Sequence, residues 1–209
     1  MQSIVVVALL ALTAAADPLV DPIRDAAKAY RTWSRVDEEP NIAPELCRQP
    51  LPADYGHPAE VRQTKATGGP HKDKLYYLWA SDKDGYLGLG KQGQPALPIG
   101  FAVVKESFSS KKLDPHAKVA LEISGLPAVG MLPAIKTLKI QAGDTLEIDQ
   151  PKGLFVMVKV GERPGADHGW IYGTVAPDGK VTSAGKLATC MGCHVAGTHD
   201  DRLFGLAAK

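Results

Sequence analysis

The chain has 209 residues, of which 44% are hydrophobic and 22% charged, so it is long enough for one domain with a substantial core. Its formal net charge is +1, and it has neither a long basic stripe nor a nucleic-acid-binding motif, so no nucleic acid is expected as a partner. No membrane span is expected either, because the longest apolar run is too short to cross a bilayer.

The first predicted element is an apolar run at Ile4–Leu12, which is followed by a Thr-Ala-Ala-Ala sequence at 13–16. A short apolar segment that ends in small residues is typical of a secretory signal peptide. We therefore predict a signal peptide over residues 1–16, cleavage between Ala16 and Asp17, and a periplasmic or secreted protein. A buried first strand is the alternative, since no Lys or Arg precedes the run.

The next predicted element is a helix from Pro22 to Val36, where apolar side chains recur at helical spacing. Asp21 before Pro22 is a plausible cap, with proline at the first helical position. Residues 38–70 are rich in proline, glycine and charge, which indicates an extended connection. We expect residues 17–70 to form this helix and connection, and residues 71–209 to form the main part of one globular domain.

The middle of the chain contains short apolar or aromatic segments separated by turns, and this pattern predicts β-strands. Because no helices alternate with them, the sheet should be antiparallel. A second helix is predicted over residues 182–193, so the fold class is mainly β (α+β), an antiparallel sheet with an N-terminal and a C-terminal helix. The predicted strands are Lys74–Ala80, Phe101–Phe108, Thr137–Ile140, Thr145–Ile148, Leu154–Val160 and Trp170–Val175.

The predicted C-terminal helix carries the cysteines of a C-x-x-C-H motif, which is formed by Cys190, Cys193 and His194. This spacing is that of c-type haem attachment, in which each cysteine sulfur forms a thioether to one haem vinyl group. The adjoining imidazole then binds the iron from the proximal side. We therefore predict one covalently attached haem c that is held by these three residues, with His194 as the iron ligand.

Two other uses of the same motif remain open. A zinc-stapled interaction domain would need four ligands, of which Cys190, Cys193 and His199 could supply three, whereas Cys47 stands alone in a Pro-rich segment. A thioredoxin-like redox pair usually opens a helix within a βαβ pattern. Here the pair lies near the end of the chain, after Gly- and Pro-rich turns.

Three stretches of the chain resemble the cytochrome P-460 family, which shares its fold with the β-type cytochromes c-prime. Leu97–Glu106 is similar to a family strand of the pattern P-x-G-x-x-V-x-K-E, Phe155–Lys159 with His168–Tyr172 is similar to the central strand pair, and Cys190–His194 is the third stretch. The resemblance implies an antiparallel sheet with one haem against it, usually in a homodimer. It also implies activity on small nitrogen compounds, by hydroxylamine oxidation in some members and nitric oxide binding in others.

The resemblance implies that one strand lysine distinguishes these activities. In the hydroxylamine-oxidising members a lysine is covalently joined to a haem meso carbon, and Lys105 occupies the matching position. Such a bond would hold the ring distorted and alter the electronics of the iron. Strand alternation places Lys105 on one face with Phe101, Val103 and Ser107. A solvated or snorkelling strand lysine is the alternative.

Hydroxylamine oxidation also releases protons, so an enzyme benefits from a carboxylate near the iron. The resemblance implies an acid after the strand that contains Met157, where Glu162, taken as the catalytic base, and Asp167 are the candidates. It also matches Lys74 to a basic residue that is arginine in the enzymes. Candidates for the sixth iron ligand, against the alternatives of core packing or a buried thiol, are Met131, Met157 and Cys47.

The predicted function is redox chemistry on small nitrogen compounds, and the protein is an oxidoreductase of the hydroxylamine-oxidising type if Lys105 is linked to haem. A soluble electron-transfer cytochrome would then accept the electrons. One alternative is a non-catalytic protein that binds nitric oxide or another diatomic gas. Another is an electron carrier whose iron has two protein ligands.

Overall fold

A computed structural model describes residues 17–36, 40–42, 74–89, 91, 95–113, 137–139, 145–195 and 202–203. The predicted signal peptide, most of the predicted 38–70 connection, Cys47, Met131 and His199 lie outside these residues. The described helices are α1 (Val20–Ala29), α2 (Lys83–Gly88) and α3 (Ala188–His194), with a 3-10 turn at Tyr30–Thr32. The described strands are β1 (Ser34–Arg35), β2 (Asn41–Ile42), β3 (Lys74–Ala80), β4 (Ala102–Leu113), β5 (Thr137–Lys139), β6 (Thr145–Lys159), β7 (Trp170–Val175) and β8 (Val181–Gly185).

The described strands form one sheet in which every pairing is antiparallel. Six strands follow each other in the order β1-β3-β4-β6-β7-β8, while β2 pairs with β3 and β5 pairs with β6. With α1 before the sheet and α3 after it, the predicted fold class is confirmed. The predicted segments Thr145–Ile148 and Leu154–Val160 are parts of the single long strand β6.

Side chains alternate between the two faces of the sheet, and each face carries a helix. We refer to them as the α1 face and the α3 face. The core of the α1 face consists of Ile23, Ala26, Tyr30, Ala102, Val104, Val156, Val158, Val160, Ile171 and Val175. The core of the α3 face consists of Val36, Ala80, Tyr86, Leu97, Phe101, Val103, Met157, Trp170, Tyr172 and Leu203, with Leu187, Cys190 and Met191 packed against it.

The first helix begins and ends at other residues than its apolar spacing predicts. It ends well before Val36, because the 3-10 turn and β1 follow it. The N-cap position is Leu19, whose side chain makes no cap hydrogen bond. Oδ1 of Asp17 instead accepts hydrogen bonds from the backbone N–H groups of Leu19 (2.9 Å) and Val20 (3.0 Å) at the start of the helix. The predicted cap at Asp21 was therefore wrong, since that residue lies within the first turn of the helix.

The C-terminal helix is shorter than predicted. The prediction of a helix over 182–193 was wrong in its first part, because residues 181–185 form β8 and only Ala188–His194 is helical. A turn at residues 176–180 folds the chain back, with the N–H of Gly179 bonded to the carbonyl of Ala176 and φ at Gly179 of +86°. The β-branched residues Val181 and Thr182 then extend the sheet beside β7.

Candidate haem-binding site

The C-x-x-C-H motif occupies most of α3, which lies on the α3 face. Cys190 and Met191 pack against the buried core of that face, and Cys190, Cys193 and His194 are all partly buried. Burial raises the pKa of both thiols, so the sulfurs are held neutral in apolar surroundings. The helix thus places two neutral sulfurs and an imidazole within one and a half turns, beside a wall of apolar and aromatic side chains.

His194 is held in one tautomer by the end of the described chain. Burial lowers the pKa of His194 to about 4, so the imidazole is neutral at ordinary pH. Its Nδ1 lies 2.7 Å from the carbonyl oxygen of Arg202, and a carbonyl can only accept a hydrogen bond. The proton therefore lies on Nδ1, and Nε2 carries the lone pair that a metal ion requires.

A second contact to His194 comes from β7. The ring of Tyr172 lies 5.5 Å from the imidazole, centroid to centroid, at an interplanar angle of 49°. The hydroxyl of Tyr172 donates a 3.0 Å hydrogen bond to Oδ2 of Asp167, and burial together with this carboxylate raises the pKa of the phenol. Arg202 pairs with the same carboxylate, with Nε 3.4 Å from Oδ2 and Nη2 3.4 Å from Oδ1.

Lys105 projects from the same face as the haem-attachment motif. It follows the α3-face residue Val103 by two positions on β4, and its Nζ lies 3.9 Å from the centroid of the Tyr76 ring. Burial is the main influence on the pKa values of Cys193 and His194, and the positive charge of Lys105 acts on both. Lys105 is therefore within electrostatic reach of the motif.

The two lysines that the resemblance singles out meet at one aromatic ring. Lys74 Nζ lies 5.2 Å and Lys105 Nζ 5.9 Å from the centroid of Phe155, which is the β6 partner of Lys105 in the sheet register. Burial lowers the pKa of Lys74, and the nearby charge of Lys152 acts in the same direction. Lys74, Lys105, Tyr76 and Phe155 thus form one cluster, which we call the lysine–aromatic cluster.

The carboxylates considered as catalytic bases lie elsewhere. Glu162 is exposed in the turn after β6. It lies seven residues beyond Phe155, the β6 partner of Lys105, so the length of the strand end separates it from Lys105. Asp167 is buried and is bonded to Tyr172 and Arg202. The structure thus brings neither acid into the lysine–aromatic cluster. Met157, a candidate sixth ligand, is 7% exposed and packs within the core of the α3 face.

These residues fit a haem of the c type. The donor set has two neutral sulfurs for thioether bonds and one neutral imidazole with its lone pair on Nε2, and the adjoining side chains are apolar and aromatic. For zinc, no cluster of three or more His, Cys, Asp or Glu side chains suited to a metal ion occurs within the described part of the chain. His199, which the zinc alternative needs, is not among the described residues.

The fold and the motif together define a class, a haem protein with an antiparallel sheet and a C-terminal attachment helix. A family model described as Cytochrome P460 matches residues 28–205, which is most of the chain. The chain belongs to the cytochrome P460 family, and it is a c-type haem protein of that kind. The predicted resemblance is confirmed. No curated protein matches the chain.

Three contributors to the site were missed by sequence reasoning. Tyr172 and Tyr76 are recognisable afterwards, because each alternates with other α3-face side chains along its strand. Arg202 had no signal, since its role depends on a carbonyl that the fold brings to His194.

As for the membrane, none of the described helices has the length and apolar character needed to cross one.

Proposed function

We propose that this protein binds one haem c through thioether bonds to Cys190 and Cys193, with His194 as the proximal iron ligand. The observation that carries this proposal is the neutral His194 imidazole, whose Nδ1 donates to the carbonyl of Arg202, so that Nε2 carries the lone pair that an iron ion requires. When bound, the haem supplies an iron centre for redox chemistry or ligand binding. The chain's own residues hold it against the apolar α3 face and fix its proximal side.

The proposed activity is oxidation of hydroxylamine at the haem iron. Lys105 supports it, because this lysine lies on the attachment face and its charge reaches the motif. Oxidation of the substrate nitrogen releases electrons and protons. A soluble electron-transfer cytochrome would accept the electrons, and Glu162 stays a prediction as the proton acceptor, which replacement by glutamine would test.

A second candidate is binding of nitric oxide without turnover. It is favoured by the contact between the Lys105 ammonium and the Tyr76 ring, which engages the lysine in a cation–π interaction. A lysine held in this way already has a partner for its charge and needs no bond to the haem. The Phe155 ring, 5.9 Å from the same ammonium group, is a second aromatic partner for it.

The two candidates are separated by the Lys105→Met variant, with Lys159→Met as a matched control. Both lysines stack on aromatic rings of this face, since Lys159 Nζ lies 5.7 Å from the centroid of the Trp170 ring. A Lys105–haem bond predicts a ferrous Soret band shifted to the red of ordinary haem c, lost in Lys105→Met and kept in Lys159→Met. In tryptic digests, the Lys105 peptide should stay with the haem peptide.

The hydroxylamine-oxidising function would be excluded if the Lys105 peptide were recovered free of haem and hydroxylamine did not reduce the haem iron. A high-spin spectrum that changes on adding nitric oxide would then support the second candidate. A low-spin spectrum that is indifferent to added ligands would instead indicate an electron carrier with two protein ligands on iron.

We also propose export to the periplasm after removal of residues 1–16, because covalent haem attachment to a C-x-x-C-H motif fits an exported protein. Sequencing of the mature N-terminus should begin at Asp17. The family resemblance further suggests a homodimer, and light scattering after gel filtration should give twice the chain mass. A start at Met1, or a monomer mass, would overturn the respective proposal.

A further inference from the structure

The residues that surround His194 are themselves fixed by a buried carboxylate. Asp167 is 4% exposed and lies at a tight turn, where its backbone exchanges two hydrogen bonds with Trp170 at 2.7 and 3.0 Å. The two residues between them, His168 and Gly169, have φ values of +47° and +79°, as a two-residue hairpin turn requires. The backbone of Asp167 is therefore anchored to the first residue of β7.

Arg202 adopts a backbone conformation that needs support. Its φ is +57°, in the left-handed region that residues other than glycine rarely adopt. Its side chain is only 16% exposed and pairs with Asp167, and the next residue, Leu203, is 2% exposed in the core of the α3 face. These contacts on both sides hold the carbonyl of Arg202 at 2.7 Å from Nδ1 of His194.

The same carboxylate reaches His194 by a second route. Tyr172 donates its hydroxyl to Asp167, while its ring contacts the imidazole at 5.5 Å. Asp167 thus fixes both the acceptor that bonds Nδ1 and the ring that limits rotation of the imidazole.

We propose that Asp167 is a positioning residue for the proximal ligand, and that through Arg202 and Tyr172 it sets the strength of the Nδ1 hydrogen bond and hence the reduction potential of the haem iron. The inference rests on the proposed function, in which His194 binds iron. A strong bond from Nδ1–H to a carbonyl makes Nε2 a better electron donor, which favours the ferric state. Loosening Arg202 weakens that bond and favours the ferrous state.

The test replaces Asp167 with asparagine, which keeps the shape of the side chain and removes the charge that pairs with Arg202. We expect the haem to stay attached and the iron–histidine stretching frequency in resonance Raman spectra to fall. The equilibrium constant for reduction should rise about tenfold, which corresponds to about 59 mV for a one-electron couple.

Glu106→Gln is the matched control. Glu106 is likewise a buried carboxylate that accepts hydrogen bonds from a tyrosine and an arginine, Tyr30 and Arg31, but it lies on the α1 face. It should leave the potential and the stretching frequency unchanged. A general loss of packing would move both variants alike, whereas a proximal role moves only Asp167→Asn.

Unchanged potential and stretching frequency in folded, haem-bearing Asp167→Asn would overturn the inference while leaving the haem assignment intact. Should that variant fail to mature, Arg202→Lys carries the test, because it keeps the charge but loses the planar fork. The expected shifts then have the same signs, and wild-type values in Arg202→Lys contradict the proposal. Failure of the proposed function itself looks different, since the wild-type protein would then lack haem.

Discussion

Glu106 and Lys105 are neighbours on β4, yet their side chains leave the strand on opposite faces and have opposite surroundings. Lys105 lies in the lysine–aromatic cluster of the α3 face. Glu106 is 8% exposed on the α1 face and accepts hydrogen bonds from Tyr30 (2.9 Å), Arg31 (3.0 Å) and Trp79 (3.1 Å). A carboxylate with three donors is a satisfied buried charge, so we assign it to stability and expect no contact with substrate.

Removing this carboxylate should be costly, because the buried donor Tyr30 and the partly buried donor Trp79 lose their acceptor. We expect Glu106→Ala to lower the free energy of unfolding by about 3 kcal/mol. Arg31→Ala should cost less than about 1 kcal/mol, since the Arg31 side chain is 74% exposed and its ion pair is screened. Urea unfolding of both variants provides the comparison, and equal losses would contradict this account.

The buried phenol of Tyr30 predicts a pH dependence. Burial raises the pKa of Tyr30 above its ordinary value of about 10, so the folded protein holds this proton more tightly than the unfolded chain. The stability that the neutral phenol contributes is complete below about pH 10 and is lost as the pH rises through the folded-state pKa. The difference in unfolding free energy between wild type and Tyr30→Phe should therefore shrink above pH 10.

Chemical denaturation of the two proteins between pH 8 and pH 11, about one unit beyond the ordinary tyrosine pKa, measures that difference. A difference that stays constant over the whole range would show that Tyr30 titrates equally in the folded and unfolded states. The Tyr30 hydroxyl also donates to Glu106, so a constant offset below pH 10 is expected from the lost hydrogen bond.

At the scale of elements, α1 docks on the sheet where β7 has no side chain. A Cβ built on Gly173 would lie 2.4 Å from Cγ2 of Ile23, and Ile23 is fully buried. Glycine at this position therefore allows the helix to approach the strand closely. The contact joins the start of the described chain to β7, the neighbour of the edge strand β8, and it positions the 3-10 turn after α1 so that Tyr30 reaches Glu106.

Gly173→Ala should push α1 away from the sheet and lower the unfolding free energy by about 2 kcal/mol, as overpacking in a close-packed core does. A second substitution, Ile23→Ala, makes room for the new methyl group. The double variant should therefore be more stable than the sum of the two single losses predicts. Thermal or urea unfolding of all four proteins closes the cycle, and strict additivity would contradict the proposed contact.

The elements that depend on local pattern were predictable, and those that depend on distant partners were not. β3 and β7 have their predicted bounds, because aromatic and β-branched runs specify strands locally. Residues 182–185 of β8 were predicted to be helical, although the turn before them signals a hairpin. Their strand conformation depends on pairing with β7, which the local sequence does not show. The pairing of Asp167 with Arg202 joins residues 35 positions apart, with a left-handed backbone at Arg202.

For the molecule as a whole, one sheet separates two tasks. The α1 face holds a core that contains a satisfied carboxylate, and the α3 face holds the attachment helix, the Asp167 network and the lysine–aromatic cluster. Each antiparallel strand carries side chains on both faces, so the register of the strands fixes the positions of the side chains on the two faces together. The local motif Cys190–His194 could be recognised in the sequence. That Lys105 lies on the same face of the sheet as the motif could not, because it depends on how the strands pair.

The central claim is that Cys190 and Cys193 hold one haem. The most direct test is the intact mass of protein matured in a host that can attach haem, measured after acidic acetone has extracted any loosely bound haem. The account predicts the mass of the polypeptide plus one haem, and the bare polypeptide mass for a Cys190→Ala/Cys193→Ala variant. A colourless wild-type protein with the bare polypeptide mass would contradict it.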